Sequence, residues 1–307
     1  MSFQTPRRFM PPLPLLVAFE AAARTGSITQ ASQELSLTQS AVSRQVKALE
    51  EQLGVELFIR HRQKIRLTLG GEIYARDIRD ALAKISSASL NLLANPGGET
   101  LTLAVPPTFG ARWLTPRLPD FRERYPDISL NILSRLERFD FGKQVIDAAV
   151  HFGSKDWCGI EMELLRYESV IPVCSPALRA RHRFEQPVQL REAPLLHLTS
   201  RPDAWEQWMR AYNVCDLAVR GMLFDQFTTL FEAAASGLGV ALVPEFLARQ
   251  DLDCGRIVPA LAAPMTTREA YYLCWPEERG SYQPLVIFRH WLLEQIRLDR
   301  SKDTPCM

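Results

Sequence analysis

The sequence predicts an α/β protein that carries a separate helical head, and three observations lead there. Between Ser27 and Leu53, two short capped helices follow one another across a tight turn. A long helical stretch without proline runs from Glu72 to Leu93. Beyond Gly98, short apolar runs of strand character alternate with helical runs, the pattern of mostly parallel sheets with helices on both faces.

Taken in order, Pro14 opens the first helix of the head. Leu16, Phe19, Ala22 and Ala23 share one face of it, and Gly26 ends it. Ser27 can cap the second helix, with Gln30 completing an S-x-x-Q capping box. Ala31 is small where another helix must cross closely, and Leu35 and Leu37 are expected to point inward. Thr38 can cap a third helix that runs to Leu53 and stops at Gly54, a residue suited to a left-handed C′ position. Val42, Val46, Leu49 and Leu53 form one apolar stripe on it. Gln39, Ser43 and Lys47 lie on another face, with Ser40 and Arg44 beside them. Amide, hydroxyl and cationic groups close to a helix N-terminus are what a helix needs to read the major groove of DNA. An ordinary amphipathic helix with a merely wet polar side fits the same stretch taken alone. After Gly54, Leu57 to Ile59 and Ile65 to Thr68 read as two short strands around Arg60-His61-Arg62-Gln63-Lys64. Such a cation-rich hairpin tip is a wing, able to lie over a minor groove or a phosphate backbone.

LSLTQSAVSRQVKALEEQLGVELFIR, followed by LTLGG, resembles the DNA-binding domain of LysR-type transcriptional regulators along its whole length. The residues that carry the likeness are Ala31, Leu35, Thr38 to Ala41, Ser43-Arg44, Leu49-Glu50, Leu53-Gly54, Leu57-Phe58, Arg60 and Leu67-Thr68. One departure stands out: the family's wing usually has a second arginine where this chain has Gln63, and Arg62 is its neighbour. The resemblance implies a partner, double-stranded promoter DNA. Thr38, Gln39, Ser40, Ser43, Arg44 and Lys47 would face it from the recognition helix, and Arg60, Arg62 and Lys64 from the wing.

Gly70-Gly71 is expected to break the chain before the long helix. There Ile78, Leu82, Ile85 and Leu92 sit at near-heptad positions, with Ala81 and Ala88 small between them. A helix this long buries its stripe poorly against a small head and is expected to pair with a second copy. The resemblance implies an antiparallel pair of linker helices, hence a homodimer and from it a homotetramer. Asn95-Pro96-Gly97-Gly98 reads as a hinge. The expected domains are therefore 1–69, a winged helix-turn-helix; 70–96, the linker; and 97–307, an effector-binding domain.

In that last domain the expected strands are Leu101–Val105, Ile128–Leu133, Ile146–Phe152, Val170–Cys174, Leu217–Phe224, Gly239–Val243 and Glu269–Trp275. The expected helices are Ala111–Tyr125, Asp203–Tyr212, Thr228–Ser236 and Leu285–Leu298. The LysR resemblance implies two α/β subdomains, like a periplasmic solute-binding protein, with crossings near Arg166-Tyr167 and Thr267-Arg268. The subdomains would be 97–166 with 268–301, and 167–267. Thr108 to Leu114, Val150 to Gly153, Pro172 to Leu178 and Leu196 to Arg201 are similar to the branch containing the glycine-cleavage and β-lactamase activators.

Open α/β sheets bind ligands past the C-terminal ends of strands, at helix N-termini. Three junctions qualify: Pro106 to Phe109, Leu198 to Arg201 and Asp225 to Thr228. They nominate Thr108, Phe109, Thr199, Gln226 and Phe227, with Arg135 and His151 as weaker candidates near the same rim. The activator branch implies that Thr108, Gln226 and Tyr271 line the cleft; it usually has serine where Gln226 stands, which implies a different ligand size or bonding pattern. The expected effector is a small anion or zwitterion, amino-acid-like. Plain helix capping by Thr108 and Gln226 is the alternative.

Composition narrows the function. The chain has 307 residues, room for about two domains, and a formal net charge of only +1. From Met1 to Gly70, however, nine cations face five anions, so a basic head sits on a mildly acidic remainder. No apolar run follows Arg7-Arg8, and no stretch of roughly 18 residues is apolar and uncharged. Neither export nor a membrane partner is therefore expected, and the cytoplasm is. The six cysteines form no C-x-x-C pair and no zinc spacing, so reduced, mostly buried thiols are expected. No G-x-S-x-G, G-x-x-x-x-G-K, H-E-x-x-H or G-x-G-x-x-G occurs. No catalytic residue, metal or cofactor is expected, and the reading is a transcriptional regulator rather than an enzyme, with RNA polymerase as a further partner. A pure solute-binding protein would not need the basic head. A purely architectural DNA binder would not need the large α/β part.

Overall fold

The computed structural model describes residues 6, 9–61, 64–94, 99–214 and 221–303. Two compact units follow one another, 1–96 and 97–307.

In the first unit, α1 (Leu13–Thr25), α2 (Ile28–Glu34) and α3 (Gln39–Leu53) precede β1 (Phe58–His61) and β2 (Lys64–Leu67), and α4 spans Leu69–Ala94. Gly26 and Gly54 both adopt left-handed conformations that end α1 and α3. Ser27 Oγ accepts from Gln30 N, but the reciprocal half of the capping box is replaced: Ser27 N–H donates to Thr25 Oγ1 at 3.4 Å. Ala18, Phe19, Ala22, Ala31, Val42, Val46 and Leu49 make the core, and Phe58 closes it edge-on against Phe19. Leu37 does not join them. It is 41% exposed, because Ser36 turns left-handed (φ 54°) and swings the chain outward before Thr38. Glu50 is the internal anchor of the hairpin, with one carboxylate oxygen accepting from Leu57 N (2.8 Å) and Phe58 N (3.1 Å).

Gly70-Gly71 does not break the chain. Both lie in the first turn of α4, and Thr68 Oγ1 accepts from Gly71 N at 2.9 Å. Glycine is needed at 71 for proximity: a Cβ there would stand 2.2 Å from the Leu57 carbonyl oxygen. Ala75 and Ile78 are buried against the head, but farther along Ile85, Leu90, Leu92 and Leu93 are exposed.

The second unit is built on one nine-stranded sheet. Its elements are β3 (Glu99–Val105), α5 (Pro107–Phe109), α6 (Leu118–Arg124), β4 (Ile128–Ser134), β5 (Ala148–Gly153), β6 (Ile160–Cys174), α7 (Pro176–His182), β7 (Leu195–Leu198), α8 (Ala204–Ala211), β8 (Gly221–Phe224), α9 (Phe227–Ala235), β9 (Val240–Pro244), α10 (Glu245–Asp253), β10 (Val258–Pro259), β11 (Met265–Pro276) and α11 (Gln283–Asp303). The strand order is β4-β3-β5-β11-β6-β9-β7-β8, with β10 on β6. Pairing is parallel around β3 and around β7, at the two wings. It is antiparallel through β6 and β11, the long strands that run from one wing into the other. The sheet is therefore mixed rather than mostly parallel, because the chain crosses between halves twice in opposite directions. The β6–β11 register breaks between Thr266 and Ala270, opposite Glu168.

The expected helix from Ala111 begins earlier and is interrupted. Pro107 starts it, as proline at a first helical position can; a π turn, Gly110–Leu114, and a 3-10 turn, Thr115–Arg117, follow before α6. Pro116 has no N–H to continue the ladder. One core spans both halves, from Leu101, Leu103, Phe121, Phe288 and Trp291 through Phe109, Phe246 and Tyr271 to Leu196, Phe231 and Val243. A second, around Trp205, Trp208 and Phe184, lies on the other face of the second half. Cys174 and Cys274 are buried, but Cys158 and Cys254 are exposed, so the thiols are not mostly buried. Cys215, Cys306 and the hinge at 95–98 lie outside the described residues. Among the described residues, no helix is long and apolar enough to cross a membrane.

Candidate nucleic-acid interface and ligand cleft

On the head, packing decides which face of α3 is available. Val42, Val46 and Leu49 are buried, which turns Gln39, Ser40, Arg44 and Lys47 to the outside, with Ser43 half-buried. Thr38 caps the helix through Ala41 N (3.2 Å) and contacts Ser40 Oγ at 3.1 Å. Arg44 Nε donates to the Ser40 carbonyl at 3.3 Å, holding the guanidinium along the helix surface. Lys47 sits 3.5 Å from Glu51 in an exposed pair, a weak restraint. β1 and β2 pair in register, His61 opposite Lys64, so the cations extend further into the strands than the sequence suggests. Arg62, and the side chains of Arg60 and Lys64, lie outside the described residues.

In the second unit a cavity of about 160 Å³ opens between the two parallel wings. Thr108 and Phe109 line it from the first half, Gln226 and Phe227 from the second, and Tyr271 from the crossing strand β11. Two hydroxyls meet across the gap, Thr108 Oγ1 and Thr228 Oγ1 at 3.1 Å. Gln226 occupies the N-cap of α9, yet its side chain makes no capping bond. Leu136, Phe152 and Leu198 add apolar wall; Ser200, Asp225 and Glu269 add polar groups.

The floor is an ion pair that sequence reading missed. Glu168 is fully buried at the register break of β6, and Arg201 Nη1 and Nη2 donate to its two oxygens. The guanidinium lies over Phe152 (3.8 Å) and Phe227 (4.7 Å). Tyr271 O–H donates to Glu168 Oε2 at 3.0 Å. Burial and the neighbouring Glu168 charge raise the Tyr271 phenol above its ordinary range, so it stays protonated. Arg201 is raised as well: burial lowers it, but Glu168 outweighs that cost. The one signal in the sequence is an acid, Glu168, two residues before the apolar run Val170 to Cys174.

Three candidates do not come into this cavity. Thr199 is exposed, and its backbone N–H donates to Phe224 O. Arg135 is exposed at the end of edge strand β4, with its side chain on the Ser134 carbonyl. His151 points to the opposite sheet face from Val150 and Phe152, where it meets Trp157 edge-on and accepts from Arg138 Nε at 3.3 Å. Burial, with Arg138 beside it, pushes its pKa down to about 4, while Asp156 opposes weakly. The unfolded chain thus protonates first, so the stability this group contributes is whole above pH 6.5 and is lost as pH falls toward 4. Up to about 3 kcal/mol should disappear over that window. Denaturant titrations across pH check this, with His151→Phe expected to flatten the slope; an unaltered slope would acquit the imidazole.

Residues 13–72 match the family described as bacterial regulatory helix-turn-helix protein, lysR family, and residues 94–297 match the LysR substrate binding domain. The chain belongs to the LysR family of transcriptional regulators. This LysR-type regulator has a helix-turn-helix DNA-binding domain and a two-subdomain effector-binding domain. It is 33% identical over 295 residues to the glycine cleavage system transcriptional activator of Escherichia coli strain K12, covering 95% of this chain and 96% of that one. It is 35% identical over 290 residues to the transcriptional activator AmpR of Pseudomonas aeruginosa, covering 94% and 97%. The X-ray structure of the AmpR effector domain from Pseudomonas aeruginosa overlays with a TM-score of 0.61 at 31% identity, across 68% of this chain and all of that one.

Proposed function

We propose that this LysR regulator binds promoter DNA through the outer face of α3 and the hairpin, under control of a small zwitterionic, amino-acid-like ligand in the cleft. The observation that carries the control is the cavity itself, because both halves of the second unit line it and meet at Thr108 and Thr228. A ligand that prefers a closed cleft shifts the equilibrium between arrangements of the two halves. Gln226 offers its amide uncommitted to capping, and Thr108 its hydroxyl, which supports ligand contact over simple capping for both. Asp225 and Glu269 suit an ammonium group at the rim. Phe109, Phe227 and Tyr271 suit an apolar side chain.

The exposed leucines and isoleucines of α4 fit a partner helix from a second copy, so the working form is a homodimer that can pair into a tetramer. Such a dimer presents two recognition helices to a dyad-symmetric site. RNA polymerase is the natural reader of the DNA arrangement it sets, and the cytoplasm is where these partners meet. Calorimetric titration of the full chain with a panel of amino acids and their derivatives tests the cleft. Thr108→Ala and Gln226→Ala should each weaken a true ligand about tenfold. A ligand that binds both variants as tightly as the parent would place the site elsewhere.

A further inference from the structure

A second groove, of about 520 Å³, borders the same two halves away from the cleft. Phe246 lines it and packs edge-on against Tyr271 and Phe109, which line the cleft. Its defining feature is an imbalance of charge around one carboxylate. Asp299 of α11 is 3% exposed and receives Arg117 Nη2 at 2.6 Å, Arg166 Nη1 at 2.8 Å and Arg249 Nη1 at 3.4 Å. Trp113 Nε1 adds a fourth donor at 3.0 Å. One guanidinium would neutralise this carboxylate; three converge on it. Nearby Arg112 is matched by Asp251 at 2.5 Å, and Asp253, exposed at the end of α10, returns one negative charge to the groove. A cationic surplus remains, centred on Arg117 and Arg249.

We infer that this groove is a second ligand site, for a small phosphate-type oxyanion held by Arg117 and Arg249. Guanidiniums bind phosphate oxygens with paired, charge-assisted hydrogen bonds, and a phosphate carries enough charge to offset two of them. The geometry is set for this. Arg117 is stacked over Trp113 at 4.3 Å, which fixes its plane. Arg249 makes the longest of the three contacts with Asp299 and is 30% exposed, so it can turn toward an anion at little cost. Burial and mutual repulsion with Arg249 and Arg166 already press Arg117 below its ordinary value, and an added anion relieves that strain. Arg117 belongs to the first half and Arg249, on α10, to the second. A bound anion would therefore tie the halves together and bias the cleft without entering it.

The test is calorimetric titration of the full chain with inorganic phosphate, against chloride and acetate at matched ionic strength. Phosphate should bind saturably, and more tightly than acetate. Arg249→Gln should weaken it by about tenfold or more, Arg249→Lys by less, and Thr108→Ala not at all. Four results would overturn the assignment: no saturable phosphate binding beyond chloride, equal binding of acetate, an unchanged affinity in Arg249→Gln, or loss of phosphate binding in Thr108→Ala.

Discussion

Glu168→Gln should destabilise the effector unit by about 3–5 kcal/mol, the cost of breaking a buried ion pair from one side. Glu168 has no exposed surface, and Arg201 lies between Phe152 and Phe227 with its terminal nitrogens directed at that carboxylate. Removing the negative charge leaves the guanidinium among aromatic rings with no counter-ion. Glutamine returns only one acceptor oxygen, and Tyr271 must compete for it. The double variant Glu168→Gln with Arg201→Met should recover much of the loss, since replacing both members of a buried pair by neutral groups is often close to neutral. Urea unfolding of the full chain measures both. A single variant that costs less than about 1 kcal/mol, the range of solvent-exposed pairs, would mean the cleft floor is hydrated.

Arg44→Ala should cost about 1–3 kcal/mol on a specific promoter fragment and blur the preference for it over random duplex. The reasoning rests on placement: burial of Val42, Val46 and Leu49 leaves Arg44 outward on the first turns of α3, tethered to the Ser40 carbonyl. Groups there reach base edges when a recognition helix enters the major groove. Lys64→Ala is the contrasting variant. A phosphate contact carries no sequence information, so it should weaken all duplexes alike and reduce the salt slope by about one. Gel-shift titrations over a salt series separate the two. Equal losses on specific and random DNA for Arg44→Ala would remove it from base reading.

Much of the head was legible because its determinants are local. Thr38, Gly54 and the 4-3-4 apolar spacing act over one or two turns, and the folded helix ends where those residues say it must. The errors have equally local causes. Gly70-Gly71 read as a breaker because glycine lowers helix propensity, yet the close approach of Leu57 makes glycine necessary inside the helix. Leu37 read as core from its apolarity, whereas the left-handed Ser36 turns it out. In the cleft, strand ends and helix starts pointed to Thr108, Gln226 and Phe227. His151 failed because strand alternation sends it to the other face from Phe152.

By itself, then, the sequence determined the secondary-structure caps, the apolar stripes, the basic head and the order of strands and helices. Each of these is an interaction between residues a few positions apart. The tertiary structure alone decided the rest. Glu168 meets Arg201 across 33 positions and Tyr271 across 103, while Thr108 meets Thr228 across 120. No periodicity reports such distances. The crossing of β6 and β11 brings those groups together, and burial then requires that every charge placed there find its partner.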